Sequence, residues 1–152
     1  KELSATTKGK SPFQLLNFPA TDESIDKAFA FSVLTHLFES DIIHSLKEIN
    51  RILKPGGLAY LTCFKVNPKI IKASQDNQLT PFDLNFEYKL YDDCFISNPA
   101  YPTGSVGFTK SKLYQMISKS GLELKCDILN GGWSGFYEGC TDGQDVLILE
   151  EI

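Results

Sequence analysis

Paired cysteines, histidines, excess basic charge and long apolar runs are all scarce in this sequence, and each scarcity excludes a class of protein. Four cysteines stand at Cys63, Cys94, Cys126 and Cys140 with no CxxC pair among them. That spacing suits neither a zinc ribbon nor a small disulfide scaffold. Three of the four sit in apolar or aromatic stretches, where a reduced thiol acts as a small core residue, so a reduced, cytoplasmic protein is expected. Two histidines, His36 and His44, offer no spacing that asks for a metal, and none is expected. Lys plus Arg total 15 against 19 Asp plus Glu, a net charge of −4. The basic field that holds nucleic acid is therefore missing. No apolar run approaches the roughly 18 residues of a membrane span. At 152 residues the chain reads as one domain, 1–152. It opens on Lys1-Glu2 without an initiator Met or an apolar signal region, the expectation for a processed chain or a fragment.

What is present reads as alternating strands and helices. Residues 1–12 are polar and form a lead-in. From Ala28 to Leu34 the chain is almost continuously apolar, which predicts a strand buried on both faces. A helix pattern follows, with Ser40 as the expected cap, Asp41 at the positive end of the dipole, and Ile42, Leu46, Ile49 and Leu53 on one face. Lys54-Pro55-Gly56-Gly57 stops it, and Leu58 to Phe64 is a second buried strand. Strand, helix and strand make a βαβ unit with parallel strands and a right-handed crossover.

Asn67-Pro68 predicts a short helix to about Gln75. Residues 77–108 show no clear period but carry Pro81, Pro99 and Pro102 with Phe82, Phe86, Tyr88, Tyr91, Phe95 and Tyr101. Within an irregular, aromatic-rich insert spanning 65–108, they read either as a lid over a binding site or as an aromatic cap on the core. Thr109 caps a helix carrying Leu113, Met116 and Ile117, closed by Gly121. Leu122, Leu124, Cys126 and Ile128 alternate with charged residues, the mark of a half-buried strand near a sheet edge. After a loop rich in glycine, Asp145 to Leu149 forms a last strand that folds back antiparallel. The fold class is α/β, with a parallel sheet centre, an antiparallel C-terminal strand pair and helices on the faces.

Standard catalytic signatures fail. No P-loop and no G-x-G-x-x-G after a strand is present, and Gly132-Trp133-Ser134-Gly135 breaks the nucleophile-elbow pattern at Phe136. The informative segment is Phe31-Ser32-Val33-Leu34-Thr35-His36-Leu37, which leaves the C-terminal end of a parallel strand, where open α/β sheets place ligands. His36 reads either as a general base or as a satisfied histidine near a helix start.

Asp22 to Leu37 resembles the fourth strand and following turn of class I S-adenosylmethionine-dependent methyltransferases. Leu46 to Gly57 is similar to their helix and "Leu-Lys-Pro-Gly-Gly" turn, and Gly143 to Leu149 to the last strand of their type 11 or type 12 small-molecule branch. The resemblance implies a partial Rossmann-like sheet, S-adenosylmethionine as cofactor and a small-molecule methyl acceptor. It puts Phe31, Ser32 and Val33 beside the methionine part of the cofactor. His36 becomes the candidate base, while Tyr101, Trp133 and Tyr137 become candidates for the acceptor pocket or for plain packing. The family's glycine-rich first loop and ribose-binding acid have no counterpart here, and Gln14 loosely matches a position near the adenine. The chain thus reads as the C-terminal half of such an enzyme. The strand at 27–34 would then be an open apolar edge inviting a homodimer, unless Phe13-Gln14-Leu15-Leu16 covers it. A non-catalytic module that pairs through this edge is the alternative.

Overall fold

The computed structural model describes residues 17–152. Its first sheet holds β1 (Ile25–Ala30), β2 (Leu53–Cys63), β7 (Asp145–Glu150) and β6 (Glu123–Leu124) in that spatial order. β1 and β2 run parallel, Ala28 facing Ala59 and Ala30 facing Leu61. β7 runs antiparallel to both β2 and β6. The expected βαβ unit and antiparallel final pair are thus both present.

Helix α1 (Glu39–Ile52) links the two parallel strands. Its stripe of Ile42, Leu46 and Ile49 is buried against the sheet, while Glu39 and Asp41 favour its positive end and Arg51 its negative end. Ser40 does not cap it. The cap position falls on Phe38, which makes no side-chain cap bond. Phe38 is itself in the core, so burying its ring fixes the chain's entry two residues earlier than the hydroxyl would. At the other end Leu53 turns extended and passes directly into β2.

Asn67 caps α2 (Pro68–Asn77), its side-chain oxygen accepting from the Ile70 N–H at 2.9 Å with Pro68 in the first turn. The segment read as patternless holds three strands: β3 (Tyr88–Tyr91), β4 (Cys94–Ile96) and β5 (Val106–Phe108) form an antiparallel sheet. Strands of three or four residues are too short to display an alternation in sequence. Thr109 caps α3 (Lys110–Ser118) as expected, accepting from the Lys112 N–H.

The main core joins the inner face of the first sheet to α1, α3 and the small sheet, through Leu46, Leu61, Ile96, Phe108, Met116 and Leu149. A second cluster packs Phe64, Val66, Ile70, Phe86 and Trp133. Cys63 and Cys94 are buried free thiols, and burial pushes the Cys94 thiol up to about 12, so it stays protonated and inert. Cys126 departs from the expected alternation and is exposed. β6 ends at Leu124 and the chain bends at 125–127, so no sheet is left to bury that face.

β1 also departs from expectation. Its burial alternates instead of running continuously, because one face, where Phe29 meets Phe31 and Tyr60, is open among the described residues, and the strand also stands at the edge of the sheet among them. Phe29 is 63% exposed and Phe31 61%. The stretch Phe13-Gln14-Leu15-Leu16, named above as a cover for this edge, and Gln14 with it, lie outside the described residues. No helix among the described residues is long and apolar enough to cross a membrane. They hold no group of three or more His, Cys, Asp or Glu residues suited to a metal.

Candidate active site

A cleft of about 590 Å³ opens where the C-terminal ends of β1 and β2 meet the loops around the small sheet. Parallel strands deliver their following turns to the same end, which is why this end gathers side chains from distant parts of the chain. The turn after β1 supplies Ser32, Thr35 and His36, and the end of β2 supplies Phe64. The loop after α2 adds Phe82, Asp83 and Leu84, and the connection from β4 to β5 adds Ser97, Asn98 and Tyr101. The glycine-rich loop contributes Trp133 and Gln144.

The floor is fixed by a hydrogen-bonded circuit. Ser32 is held in the left-handed region at φ +54, a strained conformation for a residue with a Cβ. Its N–H donates to Thr62 Oγ1 at 2.8 Å, and the Thr62 hydroxyl donates to Gln144 Oε1 at 2.5 Å. Gln144 Nε2 closes the circuit by donating to Ser32 Oγ at 2.8 Å. Three segments far apart in sequence are thereby tied at one point.

His36 lies in a single turn of 3-10 helix, Leu34–His36. Its Nδ1 stands 2.8 Å from the carbonyl oxygen of Thr103. A carbonyl only accepts, so Nδ1 carries the proton, and in the neutral ring Nε2 is left as the basic nitrogen. The sequence offered His36 as base or as satisfied histidine; the ring is satisfied at one nitrogen and lines the cleft as well. Its neighbour Thr35 is only 1% exposed, yet its hydroxyl oxygen has no hydrogen-bond partner among the described residues.

Trp133 is positioned from behind by a buried carboxylate. Asp145 accepts from the Trp133 ring N–H at 2.9 Å, the Lys65 N–H at 2.8 Å and the Gly131 N–H at 2.9 Å. Burial raises the Asp145 pKa, against the pull of those three donors. A side chain at Gly131 would collide with the Gln144 backbone, so only glycine allows the loop to close this tightly. The Trp133 indole then packs edge-on against Phe64 at 5.0 Å and Phe86 at 5.2 Å.

The other residues singled out from the sequence separate. Tyr101 lines the cleft, 65% exposed. Tyr137 does not. It lines a separate cavity with Lys65 and Lys110, where the Lys65 ammonium stands 5.3 Å from its ring centroid. Phe31 and Val33 flank Ser32 but are exposed, and Phe31 meets Tyr60 at 5.5 Å on the open face beside β1. Thr35, Thr62, Phe64 and Gln144 were not singled out from the sequence. Gln144 sat inside a quoted motif, while Thr62 and Phe64 looked like ordinary strand residues. Only the crossing of the strand ends gives them a place at the site.

Residues 7–61 match the methyltransferase domain family. Solved structures share the fold across nearly the whole chain. A SAM-dependent methyltransferase of Methanosarcina mazei aligns with TM-score 0.57 at 21% identity, over 92% of this chain and 65% of its own. The complex between the Haloferax volcanii Trm112 methyltransferase activator and a candidate methyltransferase aligns with TM-score 0.52 at 15% identity, over 91% and 59%. A Thermotoga maritima SAM-dependent methyltransferase, described as a possible histamine N-methyltransferase, gives 0.50 at 22% identity, over 89% and 59%. The chain thus spans 59–65% of the length of these proteins. Residues 7–61 thus carry the match to the methyltransferase domain family, and the fold of the chain is similar to that of these solved methyltransferases.

Proposed function

We propose that the protein transfers a methyl group from S-adenosylmethionine to a small-molecule acceptor, with the acceptor held in the cleft at the ends of β1 and β2. One observation carries this reading: His36 is tied by Nδ1 to the Thr103 carbonyl, which leaves its Nε2 as the basic nitrogen of a ring that lines the cleft. The cofactor supplies an electrophilic methyl on a sulfonium. The residues available to hold it among those described are the turn Phe31, Ser32 and Val33, whose left-handed Ser32 leaves both neighbours exposed at the end of β1. That turn fits as one wall of a cofactor site. His36 takes the proton that a hydroxyl or amine acceptor must lose, while Trp133 and Tyr101 exclude water and orient the acceptor. The direct test is calorimetric titration of S-adenosylhomocysteine into the protein at its full natural length. Saturable one-to-one binding is expected, and its absence would overturn the cofactor assignment.

A second reading has its own observation. β1 is a sheet edge among the described residues, with Phe29, Phe31 and Tyr60 grouped on its open face. An exposed apolar edge invites strand pairing. A non-catalytic module pairing through residues 27–34 would use this surface, and cofactor binding separates the two readings.

A further inference from the structure

We infer that the cleft is built for a planar, aromatic ligand that is uncharged or cationic and carries one hydroxyl or amine group, which meets the Thr35 hydroxyl beside His36. The inference deepens the acceptor reading above and rests on it only in calling this ligand the methyl acceptor.

The first ground is an orphaned polar atom. Thr35 is only 1% exposed, it lines the cleft, and its Oγ1 has no partner among the described residues. A buried hydroxyl without a partner is costly, and native proteins rarely leave one unmet without cause. A ligand group able to donate or accept satisfies it. Because Thr35 and His36 are successive residues of one tight turn, a hydroxyl or amine bound there lies beside the ring whose Nε2 is the basic nitrogen.

The second ground is the walls. Phe64, Phe82, Leu84, Tyr101 and Trp133 make them largely apolar and mostly aromatic, which favours a flat ring with its own quadrupole. Tyr101 is seated against the chain at Gly104, where a Cβ would strike its ring, so its position is set by the turn and not by chance.

The third ground is charge. Among the described residues neither lysine nor arginine lines the cleft, while Asp83 does. An anion entering here would lose its water without gaining a counter-charge, whereas a neutral or cationic ring would not.

Naphthol, methylnaphthalene and naphthoate, all substituted at the same ring carbon, test this by ligand-observed NMR titration of the protein at neutral pH. Naphthol is expected to bind at least tenfold more tightly than naphthoate. Thr35→Val, which keeps the shape and removes the hydroxyl, should weaken naphthol about five- to tenfold, the size of one hydrogen bond, and leave methylnaphthalene unchanged. Thr35→Ser should restore naphthol binding. Unchanged methylnaphthalene binding also shows that the valine variant is folded. Equal or tighter binding of naphthoate, equal weakening of both neutral probes by Thr35→Val, or no binding of any probe would each overturn the inference. S-adenosylhomocysteine is titrated separately. Its failure beside the expected naphthol pattern removes the methyl-transfer reading and leaves the ligand class standing, and the reverse result does the opposite.

Discussion

Gln144 Nε2 donates to Ser32 Oγ across 2.8 Å, joining residues 112 positions apart in the chain. Thr62 completes the join from the intervening strand, so the turn after β1, the end of β2 and the residue before β7 are tied at one point. The strained Ser32 backbone is held by this circuit. Thr62→Val deletes the shared hydroxyl and strands the Ser32 N–H and the Gln144 carbonyl together. The expected cost is about 1–3 kcal/mol of stability, read from urea denaturation. A change below about 0.5 kcal/mol would mean that other contacts hold the turn.

Asp145→Asn should destabilise the protein by about 2–4 kcal/mol, because the amide brings N–H groups toward three N–H donors that the carboxylate now accepts. Trp133 is the chain's single tryptophan, so its emission reports the loosened wall of the cleft. The pH dependence has a definite sign. Burial raises the native pKa of Asp145 above the ordinary 3.8, so its contribution is complete below that value and declines as pH rises through the native pKa. The asparagine variant should lack that decline.

Glu48 behaves in the opposite sense. The Arg51 guanidinium bonds it through Nε at 3.0 Å and Nη2 at 2.8 Å, and this pairing holds the carboxyl at about 2, against an ordinary 4.5. Glu48 also accepts from the Phe18 N–H, and Arg51 reaches the carbonyls of Phe18 and Ala20, which pins residues 18–22 against α1. A lowered acid contributes stability that is present above about 4.5 and lost as pH falls toward about 2. Acid titrations followed by circular dichroism should show Glu48→Gln less stable at neutral pH and less sensitive to acid over that window.

His36→Asn keeps a donor for the Thr103 carbonyl and removes the basic nitrogen. In a turnover assay with labelled S-adenosylmethionine and naphthol, the rate should fall by about 10²-fold or more while naphthol binding is retained. An unchanged rate and pH profile would leave His36 a structural residue.

The β1 edge yields a concentration-dependent prediction. Light scattering should detect a dimer, and Phe29→Lys with Phe31→Lys should shift it to monomer, since charge on an edge blocks strand pairing. A monomer at high concentration sinks pairing through this edge.

The sequence by itself determined the βαβ unit, because two apolar runs flanking a 3.6-residue stripe are local patterns with one compatible reading, although β1 is an edge strand with exposed phenylalanines and Lys54-Pro55-Gly56-Gly57 lies inside β2 instead of stopping the helix. It determined the helix start at Asn67-Pro68 and the cap at Thr109 for the same reason, since a first-turn proline and a capping hydroxyl act within three residues of themselves. It also put Ser32, His36, Tyr101 and Trp133 forward, and these four line one cleft. Tertiary structure decided the rest. The small sheet β3–β5 is too short to write a period into the chain. Phe38 displaced Ser40 as the start of α1 because core burial outweighs one capping bond. Tyr137 went to the far cavity and Gln144 to the near one because the glycine-rich loop folds back at Gly131, a close approach visible only once both strands are in place. Hydrogen bonds such as Thr62 to Gln144 join residues with no local relation, and only the packed sheet brings their partners within reach.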